Sequence, residues 1–210
     1  MTRTDYVFDD DLAPYVNCIM TGENFDTDAH TNIPLYADGH PGIMFQQSDH
    51  GFYLLPKKKK LSELFLYGIT IKPVSLDVKG KHRFVVLQLY PFASKYLLGV
   101  EPRVLNDDCY DLLQIEYIDI EKFRQRLIET TELDEQVSII SALMRELIQA
   151  HQVPQNDAVQ KAISIILQRK GQVKIKEVTE QVYTTERTLE RYFKSIVGLT
   201  PKQFSKIIQF

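Results

Sequence analysis

The sequence predicts an α+β protein: an N-terminal β-rich barrel or sandwich with trailing helices, then a small all-helical unit. Three observations point there. Over the first 118 residues, short apolar runs alternate with clusters of turn formers, the pattern of an all-β sandwich or barrel. From Asp119 onward the apolar residues recur at three and four instead, which is the helical period. The charge also changes sign along the chain. Residues 1–154 carry a net −8 and residues 155–210 a net +5, within a whole-chain −3. An acidic body with a basic end suggests that only the C-terminal part meets a polyanion.

The chain has 210 residues, enough for one large domain or two small ones. Its 44% apolar and 25% charged residues exclude a disordered or collagen-like chain. No apolar stretch reaches the roughly 18 residues that span a bilayer, and the four aspartates in residues 1–11 do not suit a secretory signal. Cys18 and Cys109 make no CxxC pair and no disulfide framework. They read as small buried hydrophobes in a reducing cytoplasm.

The strand-like runs singled out are Ile33–Ala37, Gly42–Gln46, Gly51–Leu55, Leu64–Ile71 and Phe84–Tyr90. Phe84–Tyr90 is apolar at nearly every residue, so it should be buried on both faces or line a closed barrel, cupin-like in class. Lys57–Lys60, after Pro56, reads either as a phosphate-binding patch or as a solvated hairpin tip that discourages edge pairing. Pro91–Gly99 reads as a short helix with proline in its first turn and glycine at its end.

Two longer helices follow, Asp119–Thr130 and Asp134–His151. In the second, Val137, Ile140, Met144 and Leu147 form an apolar stripe, opposite Glu135, Ser138, Arg145 and Glu146. The stripe packs on its own domain or forms the seam of a homodimer. Val153-Pro154-Gln155-Asn156 marks a boundary, with Asn156 placed to cap the next helix. The division is therefore a β-rich part of about 1–118, helices of about 119–151, and a separate unit over 155–210.

In that last unit, Ala162, Ile163, Ile166 and Leu167 share one helical face, which Gly171 can end. Ile175–Val182 is a second helix. Tyr183-Thr184-Thr185 is a three-residue turn, and Glu186–Val197 is a third helix capped by Thr185. Gly198 stops it, and Thr200-Pro201 opens a fourth. Two helices, a three-residue turn and a basic helix make a helix-turn-helix. The third helix turns Leu189 and Phe193 inward and presents Arg187, Glu190, Arg191 and Lys194. Arg can pair with guanine through two hydrogen bonds, Glu can accept from cytosine, and Lys can neutralise phosphate. The alternative for Arg191 is an ion pair with Glu190, Glu186 or another nearby acid.

These residues carry a family resemblance. Thr185 to Lys194, followed by Val197-Gly198-Leu199-Thr200-Pro201-Lys202-Gln203-Phe204, resembles the first helix-turn-helix of AraC/XylS-type bacterial transcription regulators. The likeness spans about residues 157–210. Ala37–Phe45 and Tyr96–Val100 are similar to a sensor-like N-terminal domain found in such regulators. The resemblance implies a cytoplasmic, sequence-specific transcription regulator whose partners are double-stranded DNA and a small-molecule effector. It implies that Arg187, Glu190 and Arg191 stand at base-contacting positions and that Thr188 belongs to the same DNA-binding set. It further implies that Thr185, Lys194 and Lys202 lie near the phosphate backbone. Tyr183 stands where the family turn has glycine, and a bulky residue there must avoid the left-handed region or be strained by about 1 kcal/mol. Thr179 stands where the family packs an alanine. The family's DNA-binding domain continues with a long linking helix and a second helix-turn-helix, and this sequence stops at Phe210, near the start of that linking helix.

Enzyme motifs are absent: the sequence holds no GxSxG, P-loop, GxGxxG or HExxH. His30, His40, His50, His82 and His151 form no HxH pair, so neither a metal nor any other cofactor is expected. A second reading takes the β-rich half as a small-molecule or protein-binding module with little DNA binding of its own. Tyr36, Met44, Phe45, Phe52, Tyr53, Phe65 and Tyr67 then line its interior or form ordinary core. A third makes the chain a dimerising fragment that uses the helix from Asp134.

Overall fold

The computed structural model describes residues 2–150 and 156–209. Its strands form two antiparallel sheets. The larger has the order β1 (Thr2–Tyr6), β2 (Val16–Asn24), β9 (His82–Leu89), β4 (Gly42–Ser48), β7 (Leu64–Tyr67), β10 (Cys109–Asp111). The smaller runs β3 (His30–Leu35), β8 (Val74–Lys79), β5 (Phe52–Leu55), β6 (Lys59–Lys60). The sheets pack face to face as a sandwich. Of the barrel and the sandwich left open by the sequence, two separate sheets are what the chain forms.

β9 lies in the middle of the larger sheet, with Val86 paired to Met20 on one side and Met44 on the other. Phe84 and Val86 face the smaller sheet, while Val85, Leu87 and Leu89 face a layer of helices. That is why this segment is apolar throughout. β4 alternates in the same way: Met44 points between the sheets, and Ile43 and Phe45 point to the helices. Phe45 therefore does not line the interior of the sandwich, as its placement among the interior candidates allowed. Phe52 and Phe65 do lie between the sheets, as fully buried core.

The helical layer comprises α1 (Ala93–Leu98), α2 (Pro102–Leu105), α3 (Ile120–Glu129) and α4 (Leu133–Ala150). α1 starts at Ala93, two residues later than its proline suggested, and ends at Gly99 with φ 65°. On α4 the stripe Val137, Ile140, Met144 and Leu147 is buried against α1, α3 and β9. The stripe is spent inside its own chain. Gln136 is fully buried beside it, a placement its polarity did not advertise. Its amide donates to the carbonyls of Leu127 and Thr130 at 3.0 and 2.8 Å, clamping the α3–α4 corner.

Lys57–Lys60 is neither a free patch nor a wholly solvated tip. Lys57 and Lys59 both donate to Asp108, at 2.7 and 2.8 Å, and tie the β5–β6 tip to the start of β10. Burial pushes the Asp108 carboxyl up. The hydrogen bonds from the two lysines and the Cys109 N–H outweigh it and leave that carboxyl below its ordinary value. Cys109 is buried, its thiol pushed up to about 12 by burial. Cys18 is only partly buried.

Beyond 151–155 come α5 (Asp157–Gln168), α6 (Ile175–Gln181), α7 (Glu186–Ile196) and α8 (Pro201–Ile208). Of the boundary Val153–Asn156, only Asn156 falls within the described residues; His151 also lies outside them. One apolar cluster runs from the helix-facing side of the larger sheet through α4 into α5, α7 and α8. The C-terminal helices are docked at several points. The Asn156 N–H donates to the Tyr96 hydroxyl at 2.7 Å, and Asn106 donates to the Gly198 carbonyl at 3.4 Å. A side chain on Gly39 would meet Ile208 and Phe204 of α8. Among the described residues, no helix is long and apolar enough to cross a membrane.

His40, beside Gly39, is largely buried against Tyr90, with Nδ1 2.8 Å from the Asp38 carbonyl and Nε2 without a partner among the described residues. Burial pushes its pKa down, against the smaller opposing pull of Asp38. The unfolded chain protonates this ring at its ordinary pKa of about 6.5, while the folded chain resists until lower pH. Stability from this group is therefore complete above about pH 6.5 and is lost as the pH falls towards the folded value. Denaturant titrations at about pH 5 and about pH 7.5 are expected to show the loss, and His40→Gln is expected to reduce it.

Candidate nucleic-acid interface

The four C-terminal helices are held by side-chain caps at three of their starts. Asn156 accepts from the Val159 N–H at 3.1 Å, and Thr185 from the Thr188 N–H at 3.2 Å. Thr200 and Gln203 form a reciprocal capping box at the start of α8. Pro201 follows at the first position. These are the caps the sequence marked. Val178, Leu189, Phe193, Val197 and Phe204 fill the interior at 0% exposure, and the Phe193 and Phe204 rings lie 6.0 Å apart. This packing fixes the rotation of α7 about its axis.

With Leu189 and Phe193 fixed inward, Arg187, Glu190, Arg191 and Lys194 fall on the exposed side. They line, with Thr188, an open depression of about 600 Å³. Five of the seven residues named from the sequence are thus brought together. Thr185 sits at the head of the same helix, and Lys202 lies apart on α8. Thr188 is half-buried, and the Thr185 hydroxyl donates to its hydroxyl at 3.0 Å.

The exposed charges are not equivalent. Lys194 donates to Glu190 at 2.6 Å. The ion-pair alternative considered for Arg191 is therefore realised by Lys194. Arg191 lies over the ring of Tyr192, 5.0 Å from its centroid, a cation–π contact that steadies the side chain without neutralising it. Arg187 has no ion pair or hydrogen bond among the described residues. Two unneutralised guanidinium groups on successive turns of one helix present planar, fork-shaped donors to whatever lies against that face.

The turn before α7 departs from the simplest geometry. Tyr183 takes φ 52°, the left-handed conformation its bulk disfavours. Its side chain is 94% exposed, with the Lys161 ammonium 5.9 Å from its ring centroid. Thr179 is buried on α6, and its hydroxyl donates to the Lys176 carbonyl at 2.7 Å. The polar group is thus satisfied within α6.

Among the described residues no group of three His, Cys, Asp or Glu is arranged to hold a metal ion. Between the two sheets lies a cavity lined in part by Tyr36, Met44 and Tyr67. Tyr53 instead faces a separate surface depression beside His50 and Lys79. Asn17, Asp38, Thr70 and Gln88, polar residues in the lining of the inter-sheet cavity, were not anticipated. The one signal in the sequence was Gln88, a lone amide within the apolar run Phe84–Tyr90.

A domain of unknown function, DUF6597, matches residues 6–111. No curated protein matches the chain. Among solved structures, ToxT from Vibrio cholerae O395 is 11% identical, covering 90% of this chain and 78% of that one, at a TM-score of 0.44. The AraC-like transcriptional activator CuxR is 12% identical over 87% and 81% of the two chains, at a TM-score of 0.34. Both likenesses are too loose to carry a functional argument. The matched span runs from the end of β1 to the end of β10 and so takes in the body of both sheets; by it the chain belongs to the family of DUF6597, a domain of unknown function.

Proposed function

We propose that the chain is an AraC-type transcription regulator that binds double-stranded DNA through α7. Residues 155–210 are the DNA-binding unit, and residues 1–154 are a sensor for a small-molecule effector. The reading makes it a cytoplasmic binding protein and not an enzyme. The observation that carries it is the exposed row of Arg187, Glu190, Arg191 and Lys194 on a helix whose other face is locked into the core. Such a helix enters a major groove, where phosphate contacts position it and guanidinium groups read guanine.

A single module of this size makes few contacts. The 210-residue chain is therefore expected to bind DNA weakly, near the roughly 10⁻⁴ to 10⁻⁶ M typical of nonspecific association, unless it dimerises. Gel-shift titration at low and moderate salt measures this. Binding should appear at low salt and weaken steeply as salt rises. Absence of binding at low salt overturns the reading. Nanomolar, sequence-selective binding by a proven monomer overturns the weak-binding expectation. The inter-sheet cavity favours a second reading, a ligand-binding module with little affinity for DNA. A ligand that binds a chain which never engages DNA would select it.

A further inference from the structure

The cavity between the sheets measures about 560 Å³, within the range of small-molecule sites. Its apolar walls come from Met20, Met44 and Val86 of the larger sheet and Leu35 and Leu76 of the smaller. Exposed Tyr36 is part of its lining. Four of its polar lining residues, Asn17, Cys18, Gln88 and Asp38, form one connected string. β2 has an extra residue at Asn17, between the Val16–Leu89 and Cys18–Gln88 pairs, and such a bulge re-aims a side chain. Asn17 Nδ2 and Cys18 Sγ reach Gln88 Oε1 at 2.7 and 3.4 Å, and Gln88 Nε2 donates to Asp38 Oδ2 at 2.6 Å. The other Asp38 oxygen accepts from the His40 N–H at 2.9 Å. Both ends of the Gln88 amide are therefore engaged, and the amide holds the carboxylate in place.

That carboxylate is 45% exposed and retains unused lone pairs. Among the described residues no Lys, Arg or His lines the cavity. The Tyr67 hydroxyl, held protonated by burial and further by the nearby Asp38 charge, has no hydrogen-bond partner among the described residues. An anion entering here meets Asp38, whose nearby base His40, 3.9 Å away, has its charged form disfavoured by burial, whereas a donor group finds an acceptor. The next residue, Gly39, has φ 77°, and a Cβ there would stand 2.5 Å from Ile208 and 2.8 Å from Phe204. The backbone at Gly39 thus lies directly against α8. His40 lines a second cleft of about 410 Å³ with Ile163 and Leu167 of α5. The acceptor in the cavity is one peptide unit away from the packing that holds the C-terminal helices.

We propose that this cavity takes a small, largely apolar molecule with an O–H or N–H donor, neutral or cationic, whose donor docks on Asp38, and that Gly39 passes its presence to α8. The proposal rests on reading residues 1–154 as a sensor, but DNA does not enter its test, so the two fail separately.

Three probes of one size and one ring distinguish the chemistries: benzylamine, benzyl alcohol and benzoate, titrated into the isotope-labelled full chain at neutral pH. Benzylamine and benzyl alcohol are expected to shift the amide signals of Met44, Tyr67 and Gly39, and benzylamine to bind at least about fivefold more tightly than benzoate. The same titrations are expected to move Phe204 and Ile208. Asp38→Asn, which keeps an acceptor for Gln88, should bring benzylamine and benzoate within about twofold of each other. Leu35→Phe, which narrows the space at a half-buried wall, should weaken both favoured probes. Four results each overturn the proposal: no cavity shifts from any probe, benzoate binding as well as benzylamine, an unchanged order in Asp38→Asn, or no response at Phe204 and Ile208. Benzoate held by the Tyr67 hydroxyl is the second of these.

Discussion

Replacing Arg187 and Arg191 together by alanine is expected to abolish sequence-selective DNA binding and leave the fold intact. Both side chains are exposed, and among the described residues Arg187 has no partner to strand when it is removed. The loss of the Arg191–Tyr192 stacking costs at most about 1 kcal/mol at an exposed site. A bidentate arginine–guanine pair contributes about 1–3 kcal/mol of discrimination, so two together amount to roughly 30-fold to more than 10⁴-fold in preference. Against a micromolar starting point, that takes the chain down to its sequence-blind floor. Lys194→Ala should behave differently. It weakens binding to all sequences alike and lowers the salt slope by about one. It also releases Glu190, whose carboxylate Lys194 now occupies. Competition gel shifts with matched and scrambled duplexes separate these effects, and a melting curve checks the fold. If DNA binding exists and survives the double substitution unchanged, α7 is not the reading helix.

The features legible in the sequence were those in which one residue type has one local job. Asn156, Thr185 and Thr200 cap because a short polar side chain before an amphipathic run has few other uses. Phe84–Tyr90 was legible as a doubly buried strand because no polar face interrupts it. The exposed row on α7 followed from the inward Leu189 and Phe193. The relations between distant elements were not legible. Gln136 gave no sign of its burial, because its partners come from the end of another helix. The α4 stripe could not declare whether it met its own chain or another, since periodicity records a buried face and not what covers it. Lys57 and Lys59 read as free charge because Asp108, about fifty residues on, is brought to them only by the β7–β10 pairing. The string Asn17–Gln88–Asp38 needs a bulge, a central strand and a turn to meet, and none of the three announces the others.

Gly171→Ala is expected to destabilise the C-terminal helices more than any surface change in them. The sequence marked this glycine only as a helix stop, but the structure gives it two further roles. Its backbone is left-handed at φ 71°, and a Cβ would lie 2.2 Å from the Ser205 carbonyl oxygen, a backbone atom that cannot swing aside. Its own carbonyl accepts from the Ser205 hydroxyl at 2.6 Å and the Gln209 amide at 2.7 Å, so the turn after α5 is fastened to α8 at this point. Left-handed strain of about 1–2 kcal/mol and overpacking of about 1–3 kcal/mol together predict a loss of about 2–5 kcal/mol. The neighbouring Lys170 supplies the control, because it too is left-handed, at φ 50°, but exposed. Lys170→Gly should relieve strain and stabilise the chain by up to about 1 kcal/mol, the opposite sign one residue away. Denaturant midpoints and amide exchange at Ile166, Gly171 and Phe204 read both changes. If Gly171→Ala leaves exchange at Phe204 untouched, the α5 turn does not hold α8, and the orientation of α7 rests on the interior packing of Val178, Leu189, Phe193, Val197 and Phe204.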